Sequence, residues 1–426
     1  MSVQRLGSNR GLQTLSDFYA PGVFIAARMF ASDRDWIPGG NAGAEAGAGT
    51  LLSCAGQLPM LAHRSFLSEA GLSAMRDAGV AIGSNIEEYG DAQDYLAIVR
   101  RRADNGEIPA YYYPLPIGVL DDVQSLVNPA LLRKLNNKHA FAEHVGPDCW
   151  PPRQILVSPS SEAILSLSLP IVLKVATDAL NAGGEGVMVC RKKTHLERAA
   201  KRFVNVPKLI AEQYVDADGN WATQCAVAPD GTVEYLGATQ QVTMRSGVFA
   251  GNLYESKRNV PDGVAALARA TAEVGAALGF RGICGFDILN RGGRSYLIDP
   301  NFRPTWSTAF AFQSRQRMDE RKEYCARCVV TRMPASLDRF LARCRKGLDA
   351  GWLVPLTTFD PVRGGFEGDN SLIIFMILGH DRRQVEAREG RLRRMGAEFT
   401  AMRDVSAKTT VGKILRKASR DFWRIR

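Results

Sequence analysis

Two aspartates, an asparagine and an arginine are the residues best placed to do chemistry. They fall in one segment, RGICGFDILNRGGRSYLIDPNFR, residues 281–303. Two apolar runs flank the turn-forming cluster NRGGR, the pattern of a β-hairpin. Side chains alternate faces along a strand, so Asp287, Asp299 and Asn301 share parity across the hairpin. With a three-residue loop over Gly292, Gly293 and Arg294, Asp287 lies directly opposite Asp299. The Cβ atoms are then ~5 Å apart, where like charges destabilise a sheet. A cation between the carboxylates removes that repulsion. An oxygen-only donor set of Asp287, Asp299 and Asn301 suits a hard ion such as Mg²⁺, with phosphate oxygens completing the shell. Arg303, on the same parity, adds a fixed positive fork for a phosphate or carboxylate. The alternative is two solvated acids beside a surface turn.

Upstream residues supply the matching anion chemistry. Lys174 is embedded in the apolar run LSLPIVLKVA (167–176), where an ammonium is costly to bury without an anionic partner. The stretch NAGGEGVMV follows, and its Gly183, Gly184 and Gly186 leave backbone N–H groups free to approach a phosphate chain. Lys138 stands in PALLRKLNNKHAFAEHV, read as a helix with Asn128 as N-cap and Pro129 in its first turn. A solvated helix lysine is the alternative for Lys138. No Ser/His/Asp or Cys/His grouping is apparent, and the five histidines are dispersed. The Gly/Ala loop at 38–49 lacks the lysine and Ser/Thr of a phosphate-binding loop.

The elements that must position these residues read as follows. Residues 1–127 alternate helix-like and strand-like patterns, implying a small α/β domain. The run KLIAEQYVD is a strand, and WATQCAVA and DGTVEYLGATQQVTM form a further strand pair. The segment PDGVAALARATAEVGAALGF is a helix. Residues 305–350 read as helical and basic; LIIFMIL is a buried strand, and DRRQVEAREGRLRRM a basic helix.

The chain has 426 residues, enough for two to four domains. Its net charge is +10, with much of the excess late in the chain, so its basic end can attract anionic partners. No nucleic-acid motif with interleaved aromatics accompanies that charge. The eight cysteines show no disulfide framework, and Cys325-Ala-Arg-Cys328 lacks the second pair of a zinc site. No apolar run is long enough to span a bilayer and the N-terminus has no signal pattern, so a cytoplasmic protein is expected.

The order Lys138, Lys174, Gly-rich loop, EQYV, Asp287, then DPNFR resembles the ATP-grasp superfamily of carboxylate ligases over residues 128–304. The N-terminal region resembles the pre-ATP-grasp domain of amino-acid ligases in natural-product pathways. The resemblance implies an α/β (α+β) ATP-grasp fold, two lobes clasping ATP behind a small α/β domain. The expected divisions are residues 1–127 (N-terminal), 128–211 (small lobe), 212–330 (catalytic lobe) and 331–426 (basic extension). It implies that Lys138 and Lys174 reach the ATP phosphates and that Gly183, Gly184 and Gly186 close over them. Glu212, Gln213, Tyr214 and Val215 correspond to the adenine hinge, and Asp216 or Asn220 to the ribose contact. Asp287, Asp299 and Asn301 correspond to ligands of two Mg²⁺ ions, with Mn²⁺ as a substitute, although glutamate is more usual where Asp299 stands. Arg303 corresponds to the arginine that holds the transferred phosphate. Arg245 is expected to hold the acyl acceptor, with a surface ion pair as its alternative.

The implied reaction is ATP-dependent, ADP-forming activation of a carboxylate, an amino acid or small peptide acid, as an acyl phosphate and its transfer to an amine. The rivals are loading of an amino acid onto a carrier-protein thiol, the basic end docking an acidic carrier, and a non-catalytic nucleotide-binding scaffold. A homodimer is the default assembly.

Overall fold

The computed structural model describes residues 13–28, 48–176, 186–243, 249–321, 323–366 and 370–399. The loop at 38–49 falls outside these residues except for its last two positions, as does the basic end beyond residue 399.

The N-terminal sheet is parallel and follows the order β3-β2-β1-β4, with β1 at Val23–Ala26, β2 at Met60–His63, β3 at Ile86–Tyr89 and β4 at Ile108–Tyr111. Strands β1 and β2 are short and wholly buried, as parallel strands covered on both faces must be. Helices α1 (Glu69–Asp77) and α2 (Ala92–Asp104) make the crossovers. Ser68 and Asp91 cap them, accepting from the N–H groups of Gly71 and Asp94.

Helix α3 (Pro129–Asn136) then leads into the first lobe of the clasp. This helix is shorter than its sequence suggests. The Asn137 side chain accepts from His139 N and Ala140 N, offering the backbone a turn instead of another helical residue. Lys138 therefore stands just beyond the helix, not on it. The small lobe is an antiparallel sheet in the order β5-β8-β6-β7, comprising β5 (Arg153–Val157), β6 (Ile171–Val175), β7 (Val187–Cys190) and β8 (Lys208–Gln213). Leu173, Val175, Leu209 and Ala211 pack its outer face against helices α4 (Ser161–Leu165) and α5 (Lys193–Phe203). The alternating face carries Lys174 and Glu212.

The remaining strands form one nine-stranded antiparallel sheet in the order β13-β12-β9-β10-β11-β14-β16-β15, with the two-residue β17 (Glu398–Phe399) also pairing with β14. They are β9 (Gly219–Val227), β10 (Val233–Thr243), β11 (Phe249–Glu255), β12 (Gly282–Arg291), β13 (Arg294–Asn301), β14 (Cys325–Arg332), β15 (Leu353–Phe359) and β16 (Leu372–Gly379). Helix α6 (Asp262–Ala277) covers the β9–β12 face, α7 (Trp306–Arg321) follows the hairpin, and α8 (Leu337–Asp349) and α9 (Arg382–Arg394) flank the far end. Residues 305–350 thus contain a strand that the sequence reading took as helical. All eight residues of β14 are buried, including Arg327 and Arg332, so its arginines do not mark a solvated helix.

Phe302, between Asn301 and Arg303, anchors the hairpin to the core. Its ring lies 4.9, 5.1 and 5.3 Å from the rings of Phe141, Phe280 and Phe286. Gly275 of α6 lets the helix approach it, since a Cβ there would come within 2.0 Å of the Phe302 ring. Phe302→Ala is expected to destabilise the chain by about 3–5 kcal/mol, read as a fall in the urea midpoint at unchanged m-value.

Candidate active site

The hairpin of β12 and β13 brings the two aspartates face to face, Asp287 opposite Asp299 and Gly285 opposite Asn301. The register is the one expected, but its cause differs. Arg291 pairs with Arg294, so the turn is the two-residue Gly292-Gly293, with φ of 53° and 81° as a primed hairpin turn requires. A regular ladder from that turn would set Ile298 against Asp287. The pairing instead shifts between Ile288 and Asp287, leaving Ile298 as the extra residue of a β-bulge and restoring the two acids to one level.

The bulge has a use. Lys174 Nζ donates to the Ile298 carbonyl at 2.9 Å and pairs with Glu212 Oε2 at 2.5 Å. Lys174 and Glu212 are both almost fully buried, which explains the lysine in an apolar strand: its anion is Glu212. Arg153 lies 3.8 Å from Glu212 Oε1 and stacks 4.0 Å above Trp150. Lys138, also buried, reaches Asp299 Oδ1 at 2.7 Å. Two lysines from outside the hairpin therefore converge on it.

Arg303 donates to Asn301 Oδ1 at 2.7 Å and to the Pro304 carbonyl at 3.2 Å, while its guanidinium stacks 4.1 Å from the Tyr113 ring. Its Nε is buried with no hydrogen-bond partner among the described residues. Asp287 accepts from Gln241 Nε2 at 2.9 Å, and Gln241 Oε1 accepts from Asn220 Nδ2 at 3.0 Å. Burial, and then the charge of Asp299, push the Asp287 carboxyl up to about 7, against the opposing pull of Gln241, Lys138 and Arg303.

The other expected residues are placed as follows. Gly186 accepts from Val175 N through its carbonyl, while Gly183, Gly184 and Arg245 lie outside the described residues. Gln213 and Tyr214 line a cleft of about 440 Å³ with Pro152, Leu169 and Pro170. The Gln213 N–H is taken by the Pro152 carbonyl, and the Tyr214 hydroxyl by Arg191 at 2.6 Å. Val215 is half-buried just after β8, and Asp216 is exposed and pairs with Arg291 at 3.1 Å. Sequence reasoning missed Arg153, Gln241 and the Ile298 carbonyl. Only the consecutive polar pair Gln240-Gln241 in a strand hinted at the second.

Among the described residues no three His, Cys, Asp or Glu side chains converge on one point. A cation at the hairpin would thus be held by Asp287, Asp299 and Asn301, the sparse oxygen set that Mg²⁺ accepts when substrate phosphates complete its shell. A raised carboxyl facing a second acid fits that use.

Residues 151–301 match the family model described as "L-aspartate--L-methionine ligase, ATP grasp", and residues 14–133 that of the "L-aspartate--L-methionine ligase N-terminal domain". Together these segments span well over half of the chain. The chain belongs to the ATP-grasp ligases. It is an ATP-dependent enzyme that joins a carboxylate to an amine. Solved structures of the same fold include carboxyaminoimidazole ribonucleotide synthase from Aspergillus clavatus complexed with ATP. That match has 13% identity and a TM-score of 0.53 over 88% of this chain and 97% of that one. N5-carboxyaminoimidazole synthetase from Staphylococcus aureus complexed with ADP matches at 12% identity and TM-score 0.54, over 87% and 96% of the chains. The L-amino acid ligase of Bacillus licheniformis matches at 12% identity and TM-score 0.50, over 89% and 98%. The expected fold and ligase class are borne out. Among the described residues no helix is long and apolar enough to cross a membrane.

The raised Asp287 carboxyl carries a pH signature. Between about 4 and 7 the folded ligase binds a proton that the unfolded chain has already lost, so metal-free stability falls as pH rises through that window. Asp287→Asn is expected to raise the melting temperature of the metal-free protein above that window, with the gain closing below it. A gain independent of pH would place the destabilising charge elsewhere.

Proposed function

We propose that this ligase joins L-aspartate to L-methionine, or amino acids close to them, through an acyl phosphate made from ATP. The observation that carries the chemistry is the opposed pair Asp287 and Asp299 with Lys138, Lys174 and Arg303 around it. The substrate reading rests on the family description matched at both the N-terminal and the ATP-grasp segments. In this reading residues 128–211 and 212–330 are the two lobes that clasp ATP.

The aspartate carboxylate attacks the γ-phosphorus, a new O–P bond forms, and the bond to the bridging oxygen breaks to release ADP. The methionine amine then attacks the acyl carbon, a C–N bond forms, and phosphate departs as the amine loses its proton. Asp287, Asp299 and Asn301 would hold Mg²⁺, which would supply charge neutralisation for the phosphate oxygens. Lys174 keeps one donor beyond Glu212 and the Ile298 carbonyl, and that donor reaches a phosphate oxygen. Arg303 is preset by Tyr113 and Asn301, so its free Nε can meet the transferred phosphoryl group without reorganisation. Gly183, Gly184 and Gly186 cover the triphosphate, Glu212 to Val215 flank the adenine, and Arg245 holds the acceptor carboxylate.

An acidic carrier protein is the second reading: on helix α9 Arg382 and Arg388 are paired with Glu255 and Glu323 at 2.6 and 2.8 Å, while Arg383, Arg391 and Arg394 are exposed. A reducing, cytoplasmic setting accords with eight free cysteines, seven of them buried.

ADP release should require ATP, Mg²⁺, aspartate and methionine together, with a dipeptide of matching mass in the product. Asp299→Ala should reduce both to background. Turnover that survives in that variant would remove the metal assignment, and ADP release with other amino-acid pairs alone would remove the substrate reading.

A further inference from the structure

The ligands and lysines above leave two side chains without a task. Gln241 and Asn220 sit on adjacent strands β10 and β9, beside Asp287 on β12. Gln241 Nε2 donates to Asp287 Oδ2 at 2.9 Å, and Asn220 Nδ2 donates to Gln241 Oε1 at 3.0 Å. When Asp287 holds a cation its carboxylate is ionised and accepts only, so the Gln241 amide then has to present its nitrogen to it, as it does here. That orientation turns Oε1 away, towards a position that needs a donor, and Asn220 supplies one. Asn220 in turn must present its nitrogen to Gln241, which leaves its own Oδ1 buried without a hydrogen-bond partner among the described residues. A buried orphan acceptor is normally avoided. Here it is the end of a directed chain, Asn220 to Gln241 to Asp287, and flipping either amide to rescue it would aim an oxygen at another oxygen.

We infer that Asn220 and Gln241 are a positioning pair for Asp287. They fix one carboxylate oxygen on Gln241 so that the other, Oδ1, is presented to the metal. The inference rests on the reading of Asp287 as a metal ligand. It assigns Asn220 to the metal side of the site and leaves the ribose contact to Asp216, the exposed acid that follows β8. Partners that orient a metal ligand matter about 10–100-fold in metal affinity or activity.

The test is Mn²⁺ binding to the full chain saturated with ADP, followed by electron paramagnetic resonance, so that no turnover is needed. Gln241→Met removes the donor, and Asn220→Asp replaces the donor facing Gln241 by an acceptor that forces the amide to turn. Each is expected to weaken Mn²⁺ about 10–100-fold with ADP affinity little changed. The double variant should weaken it no further than Gln241→Met, since both act through one contact. In turnover the Mg²⁺ KM should rise, with kcat recovering at saturating metal, a split that general loosening of the sheet would not produce. Should Gln241→Met not fold, Asn220→Asp still carries the test, because Gln241 then remains in place. Wild-type Mn²⁺ affinity in the variants, while Asp287→Asn loses the ion, would overturn the positioning role alone. Unchanged Mn²⁺ binding in Asp287→Asn would overturn the metal reading on which it stands.

Discussion

The structure turns on two like charges that the backbone forces together. A sheet tolerates Asp287 opposite Asp299 only where something positive or hydrogen-bonding meets each carboxylate. Lys138 meets Asp299 and Gln241 meets Asp287, and the buried Asp287 carboxyl still remains well above its usual range. The charge of the pair is therefore incompletely compensated by protein groups alone, which is what the raised Asp287 carboxyl reports.

The same pair ties the layers of the fold together. Lys174 belongs to the small lobe, yet its ammonium rests on the hairpin of the large sheet. Lys138 comes from the turn that joins the N-terminal domain to that lobe. Arg303 leans on Tyr113, at the carboxyl end of the parallel N-terminal sheet, the edge where such sheets receive ligands. Segments far apart in the chain thus each lend a side chain to one site. None of these contacts is a surface ion pair, and each is buried enough for its geometry to matter more than its number.

What the sequence disclosed follows the range of each signal. The hairpin was legible because alternation and a Gly-Gly turn are local, and Lys174 was legible because a charge in an apolar run is a local anomaly. Lys138 was placed on a helix because Asn137 looks like any helix-surface residue until its side chain is seen capping the next turn. Strand β14 was missed because CARCVVTR places arginines where a buried strand should not have them. Their partners, the carbonyls of Ala250 and Asn252 for Arg327 and Glu398 for Arg332, are 66 to 77 residues away. The link from Gln241 to Asp287 was beyond reach for the same reason, since it requires the registers of three strands at once.

The bulge at Ile298 gives the hairpin a second property. One length of chain, residues 288–298, can bring the acids level in two ways: a three-residue turn on a regular ladder, or the two-residue turn with one extra residue beyond it. The sequence suggests the first and the molecule uses the second. Only the second turns a main-chain carbonyl out of the ladder, and that carbonyl is where the small lobe takes hold. The acids stand level in either arrangement, but only the bulged one offers the small lobe this handhold, a backbone atom whose position depends on where one residue is left unpaired and not on any side chain.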